Sequence, residues 1–407
     1  MSGVLRPLSI FIVAAEESGD ALGGALAGAL SAHCGNDPKL SGVGGRAMAS
    51  AGIASPFPID DLAIVGLTAI PRRLPMILRR IRETADAVVT AQPDALVIID
   101  SPDFTHRVAR RVRRLAPSIP IIDYVSPSVW AWRSGRAHAM RSYIDYVLAI
   151  LPFEPAAHVR LGGPPCVYVG HPLIERIAEL RPNAEEAERR RSDPPIVLVL
   201  PGSRSSEIRR LLDIFGAALE RAAARTGPLD LVLPTVPHLL AQVNAGTAHW
   251  PRKPRIVVEP AEKWAAFRVA RAALAASGTV TLELALAGIP AVAAYRLSLV
   301  EEAVLRLLTR RAARPHSVIL ANLVIGENAM PELLQRACTP EALADALVPL
   351  VSDTPERQRQ IDAFRRLDTI MGIGAITPSA KAAAIVAEIA RRGRRDLTAT
   401  NAASAPH

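Results

Sequence analysis

The chain reads I-I-D-S-P-D-F at 98–104, I-I-D-Y-V-S-P-S-V-W-A-W-R at 121–133 and V-L-A-I-L-P-F at 147–153. Three short apolar runs (95–99, 119–125 and 146–151) each stop at a cluster of acids, serines or prolines, as parallel strands do at a functional edge. Their carboxyl ends are predicted to line one crevice, the place where an open α/β sheet holds its ligands. Asp100 and Asp103, three apart across Pro102, can both face it, and Asp103 equally suits a cap on the helix beginning near Phe104. Trp130 and Trp132 fall within three residues, beside Ser126, Ser128 and Arg133. Each indole N–H needs a partner, so this cluster suits a ligand-shaping loop better than plain core packing.

Outward from this stretch the same pattern repeats. Residues 8–15 read as a first strand that runs into E-E-S-G-D and a small-residue helix, with Ser18 and Asp20 as its caps. A helix start at this place can hold an anion. L-S-G-V-G-G (40–45) reads as strand and turn, with Gly42, Gly44 and Gly45 assigned to turn geometry. V-Y-V-G-H-P (167–172) ends the first half at a bend where His171 is either a hinge or a substrate contact. The charged, strongly helical 173–193 is the linker.

The second half restarts with I-V-L-V-L (196–200) and a turn holding Gly202, Ser203 and Arg204. Strands follow at 229–234 and 255–259. Then 271–295 gives strand, Ser277-Gly278-Thr279 turn, helix, glycine stop and strand. Backbone N–H groups and hydroxyls at such a helix start suit a diphosphate, and Glu283, one turn further in, can accept from both ribose hydroxyls. Arg204, on a parallel turn, can meet the same phosphates. The alternative is a well-capped helix with a solvated glutamate.

The predicted architecture is α/β, two facing doubly wound, Rossmann-like domains. The first spans 1–172 and the second 173–370. A C-terminal helix, 371–396, returns to the first domain, and 397–407 is a disordered tail.

Half of the 407 residues are hydrophobic and 21% are charged, which excludes a disordered chain. The net charge of +9 asks for an anionic partner. Arginines alternate with aliphatic residues in 72–82 and 107–114, not with stacking aromatics, which favours a lipid surface or solvated helix face over nucleic acid. Cys34, Cys166 and Cys338 form no disulfide framework or metal cluster, and a reducing compartment follows. Arg6 ahead of a short apolar run faintly resembles a signal peptide, but the acids at 16–20 make it a buried strand. No run approaches the roughly 18 apolar residues of a spanning helix.

Residues 60–82 carry an apolar set, Val65, Leu67, Ile70, Leu74, Met76 and Ile77, interrupted by Pro71 and Pro75 and flanked by five arginines. Two prolines are unusual inside a buried helix. The readings are a basic segment in an anionic membrane interface, a lid over an acyl-chain groove, or a core helix with a proline-rich entry.

The segments I-D-S-P-D-F, Y-V-S-P-S-V-W-A-W-R, L-P-F-E and G-H-P resemble the lipid-A-disaccharide synthase family, and the likeness runs from about residue 10 to 350. The resemblance implies the glycosyltransferase B fold, a UDP-2,3-diacylglucosamine donor and a 2,3-diacylglucosamine 1-phosphate acceptor. The products would be the β-1,6-linked disaccharide 1-phosphate and UDP. It implies a position on the cytoplasmic face of the inner membrane, with Val65, Leu67, Ile70, Arg72, Arg73, Leu74, Met76 and Ile77 as a membrane patch. It leaves a homodimer open.

In that frame Asp100, with Asp103 second, is the base for the acceptor's 6-hydroxyl. Arg204 and the turn Ser277, Gly278 and Thr279, beside Gly202 and Ser203, stabilise the leaving diphosphate. No metal is expected, since the second half has no D-x-D-like pair. Glu283 holds the ribose, with Asn322 nearby. Glu16, Ser18, Gly19, Ser126, Ser128, Trp130, Trp132, Arg133 and His171 are the acceptor-crevice candidates. The chain departs from the family pattern at Ala15, Glu17, Arg46, Ala321, Glu327 and Asn328. A UDP-N-acetylglucosamine 2-epimerase would share the second-half nucleotide site but have no use for the 65–77 patch. A non-catalytic basic membrane or polyanion binder would explain the charge and leave Asp100, Glu283 and the tryptophan loop idle.

Overall fold

Ala95–Ile99 and Ile196–Leu200 are apolar on both faces and lie in the middle of two separate parallel sheets. In the computed structural model of the chain, residues 6–35, 37–62, 70–131, 134–298, 317–374 and 376–403 are described. The chain divides into two units, Met1–Pro172 with Gly374–His407, and Leu173–Ile373.

The first unit runs β1 (Ser9–Ala14), α1 (Glu17–Cys34), β2 (Lys39–Val43), α2 (Arg46–Ser50), α3 (Ile70–Ala91), β3 (Ala95–Ile99), α4 (Pro102–Leu115), β4 (Ile121–Tyr124), α5 (Gly135–Met140), β5 (Tyr146–Ala149), α6 (Glu154–Arg160) and β6 (Cys166–Tyr168). Its strand order is β2-β1-β3-β4-β5-β6. The order reverses between β1 and β3, so the switch point lies where Ala14 and Ile99 pair.

The second unit runs α7 (Ile177–Leu180), α8 (Ala184–Arg189), β7 (Ile196–Leu200), α9 (Ser205–Thr226), β8 (Asp230–Pro234), α10 (Leu240–Thr247), β9 (Arg255–Val257), α11 (Pro260–Val269), β10 (Ala272–Ala276), α12 (Val280–Leu286), β11 (Ala291–Tyr295), α13 (Leu320–Ile325), β12 (Glu332–Leu334), α14 (Pro340–Val351), α15 (Pro355–Arg365) and α16 (Leu367–Met371). Its order is β12-β11-β10-β7-β8-β9, with the switch point between β7 and β10. β12 carries no strand pattern of its own; three half-buried residues suffice because β11 supplies the pairing.

The final helix, α17 (Pro378–Ala403), belongs to the first unit. Ala382, Ala383, Val386, Ala387, Ile389 and Ala390 face inward and join Leu26, Leu30 and the β1 and β3 side chains in one core cluster. Lys381 Nζ donates to the Tyr168 carbonyl at 2.6 Å and Arg394 Nε to Asp145 Oδ1 at 2.9 Å. Two sequence expectations change here. Met371 closes the last helix of the second unit, so the crossing falls after Ile373 instead of 370. The helix also runs on through residues expected to be a tail, across a left-handed break at Gly393, because the alanine-rich end sustains helix.

The linker is not one long helix. Pro182 separates α7 from α8, and Asn183 restarts the chain with a capping box: its Oδ1 accepts from Glu186 N at 2.8 Å while Glu186 Oε2 accepts from Asn183 N at 3.0 Å.

Gly42 is a strand residue, not a turn residue. A Cβ there would stand 2.0 Å from the Ile12 carbonyl oxygen, so glycine is required for β2 to approach β1. Asp20 likewise does not cap its own helix. Buried at 4% exposure, it accepts from Gly45 N, Ala47 N and Met48 N and so caps α2, while Glu16 begins α1 with no side-chain cap.

Residues 70–91 form one helix despite Pro75, which lies near its start where few intrahelical bonds are lost. Ile81 is buried and Ile77 packs partly beneath it, while Leu74 and Leu78 stand 42% and 38% exposed. Arg80 is held by Asp61 and Glu83 over the Phe57 ring. Val65 and Leu67 lie outside the described residues, as do the side chains of Ile70, Arg72 and Arg73.

Candidate active site

The carboxyl ends of β3 and β4 are strained. Asp100, Ser101 and Val125 have φ of +49°, +45° and +83°, a region in which a β-branched residue is rare and which costs about 1–3 kcal/mol per residue. Tertiary bonds hold these positions: Asp100 N donates to the Tyr124 carbonyl at 3.1 Å, Val125 N to Leu148 O at 3.0 Å, and Thr105 Oγ1 to Asp100 O at 2.6 Å. The result is a cavity of about 180 Å³ lined by Asp100, Pro102, Val125, Ser126, Pro127, Ser128, Val129 and Arg136.

Asp100 is half-buried in its wall. Burial raises its pKa above the ordinary carboxylate value; an accepted bond from Ser101 N, 2.7 Å away, opposes this, and the charges of Glu16 and Asp123 add to the rise. Such a carboxylate is poised to take a proton. Asp103 is 89% exposed on α4, lines no part of the cavity, makes no cap bond and has Arg136 Nη2 at 4.0 Å. Of the two acids, Asp100, placed first by the sequence, lines the cavity and Asp103, placed second, does not.

Glu16 and Ser18 are exposed after β1, and Gly19 is buried with its Cα side against Ala14 and Ile99. His171 is 7% exposed, and burial lowers its pKa to about 4, so it is neutral near pH 7. Trp132 and Arg133 lie outside the described residues. Trp130 does not reach the cavity: its ring packs edge-on against Phe153 with centroids 5.1 Å apart, and its Nε1 donates to Glu154 Oε1 at 3.3 Å. Glu154 also accepts from Leu151 N, and its burial raises its pKa to about 7.

Two buried polar clusters in this unit were not revealed by the sequence. His106 bridges Tyr143 OH at 3.0 Å and Asp123 Oδ2 at 3.1 Å, and Ser126 Oγ lies 2.8 Å from His158 Nε2. These residues sit on α4, β4, the loop after β4 and α6, so no local spacing signals them. The one available hint was Asp123 inside an otherwise apolar strand.

In the second unit the register Leu200 to Ala275 sets the Gly202–Arg204 turn beside the Ser277–Thr279 turn, at the switch point. The Gly202 turn is already occupied. Glu207 Oε2 accepts from Ser203 N at 3.1 Å and Arg204 N at 3.2 Å, and Oε1 accepts from Arg204 Nη1 at 3.0 Å. Gly202 has φ of +118°, and a Cβ there would lie 2.3 Å from that carboxylate. The Arg204 side chain is 76% exposed, so its guanidinium, and not the turn's amides, is what stands open to an anion.

Ser277, Gly278 and Thr279 are accessible at the start of α12, and Glu283 accepts from Lys263 Nζ at 2.8 Å. Asn322 differs from the expectation. It is fully buried: its Nδ2 donates to Met330 O at 2.9 Å and to Glu332 Oε1 at 3.3 Å, and its Oδ1 accepts from Met330 N at 2.9 Å. Its amide is consumed in bracing the turn before β12, which leaves nothing for a nucleotide.

The family model described as lipid-A-disaccharide synthetase matches residues 10–386. The chain belongs to the lipid-A-disaccharide synthase family. A lipid-A-disaccharide synthase from Bradyrhizobium diazoefficiens is 60% identical over 386 residues, covering 95% of this chain and 97% of that one. One from Nitrobacter winogradskyi is 58% identical, covering 95% and 96%. Among solved structures, the S. aureus MnaA–UDP co-structure superposes with a TM-score of 0.63 at 12% identity, covering 95% and 96%, and Acinetobacter baumannii MurG with 0.56 at 18%, covering 95% and 100%. These likenesses establish the glycosyltransferase B fold. As a member of the lipid-A-disaccharide synthase family the chain is a glycosyltransferase that acts on hexoses.

Proposed function

We propose that the chain transfers the acylated glucosamine of UDP-2,3-diacylglucosamine to the 6-hydroxyl of 2,3-diacylglucosamine 1-phosphate, with inversion, at the cytoplasmic face of the inner membrane. The observation that carries the chemistry is Asp100, a half-buried carboxylate of raised pKa in the wall of the cavity at the carboxyl ends of β3 and β4. Asp100 takes the proton from the acceptor's O6, and O6 bonds to the donor's anomeric carbon. The bond from that carbon to the phosphate oxygen breaks, and its electron pair leaves with UDP. One displacement inverts the centre and gives the β-1,6 link.

The second unit carries the donor in this reading. Arg204 and the Ser277–Thr279 turn meet the diphosphate, and Glu283 meets the ribose hydroxyls. Several structural neighbours hold UDP or UDP-N-acetylglucosamine, which supports a UDP-sugar as the donor class. No metal is assigned a role. No helix among the described residues is long and apolar enough to cross a membrane. Exposed Leu74 and Leu78 among the arginines of α3 support contact with an anionic surface.

UDP release from the two substrates in detergent, compared between the parent and Asp100→Ala, tests the proposal. Acceptor-dependent release that the variant loses while still binding UDP is expected. An Asp100→Ala enzyme with parental turnover would refute the assignment of the base.

A further inference from the structure

The cavity at the ends of β3 and β4 is bipolar, and the sequence reading assigned only one of its poles. Asp100 is its carboxylate and Arg136, on α5, its cation, with the hydroxyls of Ser126 and Ser128 in the same wall. Arg136 is 21% exposed, and its one ion pair among the described residues is the 4.0 Å approach to Asp103. A long contact to a carboxylate that is 89% exposed is worth little. A guanidinium offers five donors in a fixed fork suited to a phosphate, so most of its donor capacity remains for an occupant.

The hydroxyl of Ser126 is prepared in a complementary way. His158 is 1% exposed and its Nδ1 has no hydrogen-bond partner, while its Nε2 faces Ser126 Oγ at 2.8 Å. An orphaned buried N–H costs more than an orphaned lone pair, so the ring proton belongs on Nε2 and is donated to Ser126 Oγ. Burial lowers the pKa of this imidazole and so favours its neutral form, which agrees. The hydroxyl's own hydrogen then has Pro127 O, at 3.1 Å, or an occupant of the cavity as its acceptor.

We propose that Arg136, with Ser126 and Ser128, binds the anomeric phosphate of the acceptor sugar and makes transfer selective for a phosphorylated acceptor. This rests on the transferase reading above. The anion is repelled by Asp100 and drawn to Arg136, so the two poles orient the sugar with its 6-hydroxyl toward the base. Arg136 is thereby a specificity residue for the sugar that receives the group.

The test compares kcat/KM for 2,3-diacylglucosamine 1-phosphate and for the same acylated sugar without its phosphate, in the parent, Arg136→Gln and Arg136→Lys, with UDP affinity measured alongside. The parent is expected to prefer the phosphorylated acceptor by about 10–100-fold, the range of a charge-assisted contact. In Arg136→Gln that preference falls below about threefold through loss on the phosphorylated acceptor alone, with UDP affinity unchanged, and Arg136→Lys keeps an intermediate preference. Three results overturn the assignment: Arg136→Gln retains the preference, it loses both acceptors equally, or it weakens UDP. A parent that transfers to neither acceptor overturns the transferase reading itself, and this assignment with it.

Discussion

Lys263 Nζ lies 2.8 Å from Glu283 Oε2, and both side chains are largely buried, at 28% and 15% exposure. Lys263 also sits 4.1 Å above the Trp264 ring, which holds the ammonium in place. One oxygen of Glu283 is thus committed, and in the proposed function Oε1 meets the ribose. Glu283→Gln is expected to weaken UDP by about tenfold, the worth of a hydrogen bond to a charged group, while 2′,3′-dideoxy-UDP, which lacks both hydroxyls, binds parent and variant within about twofold of each other. Titration calorimetry with the two nucleotides checks this; equal weakening of both would remove Glu283 from the ribose.

With Asp100 as the proposed base, its raised pKa sets the acid limb of the rate profile. The base works only when ionised, so kcat/KM is expected to fall on acidification at a pH above the ordinary carboxylate value. Glu16, Asp123 and the Ser101 amide are the charged and polar groups acting on it, and a like charge disfavours ionisation. Glu16→Gln, an exposed change, should move the acid limb to lower pH. A limb that stays in place would show that the limb belongs to another group.

Glu154 and His171 act on stability in opposite directions. The Glu154 carboxyl titrates near 7 when folded against 4.5 when exposed, so between these values the native state holds a proton that the unfolded chain has lost, and stability falls as pH rises. His171 titrates near 4 when folded against 6.5 when exposed, so over that range the unfolded chain holds the extra proton and stability rises with pH. The two nearly cancel from about pH 4.5 to 6.5. In Glu154→Gln the first contribution is gone, and the gain with pH should exceed the parent's by up to about 1.4 kcal/mol per pH unit. Urea midpoints at three pH values give the two slopes; parallel slopes would contradict the burial of Glu154 as an acid.

Among the described side chains of α3, Leu74 and Leu78 are the exposed large aliphatic ones, with Arg79 beside them at 76% exposure. Replacing both leucines by Asp should cut binding to vesicles containing anionic lipid by at least about tenfold and leave the far-ultraviolet dichroism unchanged. Retained vesicle binding in the double variant would move the membrane contact elsewhere.

Much of this protein was legible in its linear sequence. The apolar runs ending in acids, serines or glycines marked most strands of both sheets, because a parallel strand buried on both faces must be continuously apolar and its functional end must not be. The same local chemistry singled out Asp100, the Gly202 and Ser277 turns and Glu283, since these depend on residue type and on the step from strand to helix. Only the tertiary structure decided which partners those groups have. Asp20 caps a helix 25 residues away, Glu207 fills the amides of the Gly202 turn, and Asn322 braces Met330 in place of a ligand. The buried pairs His106–Asp123 and Ser126–His158, and Arg136 in the cavity that Asp100 also lines, come from separate elements brought together by the sheet. Hydrogen bonds and electrostatic pairings act over a few ångströms of space, and distance along the chain does not reveal which groups the fold will set that close.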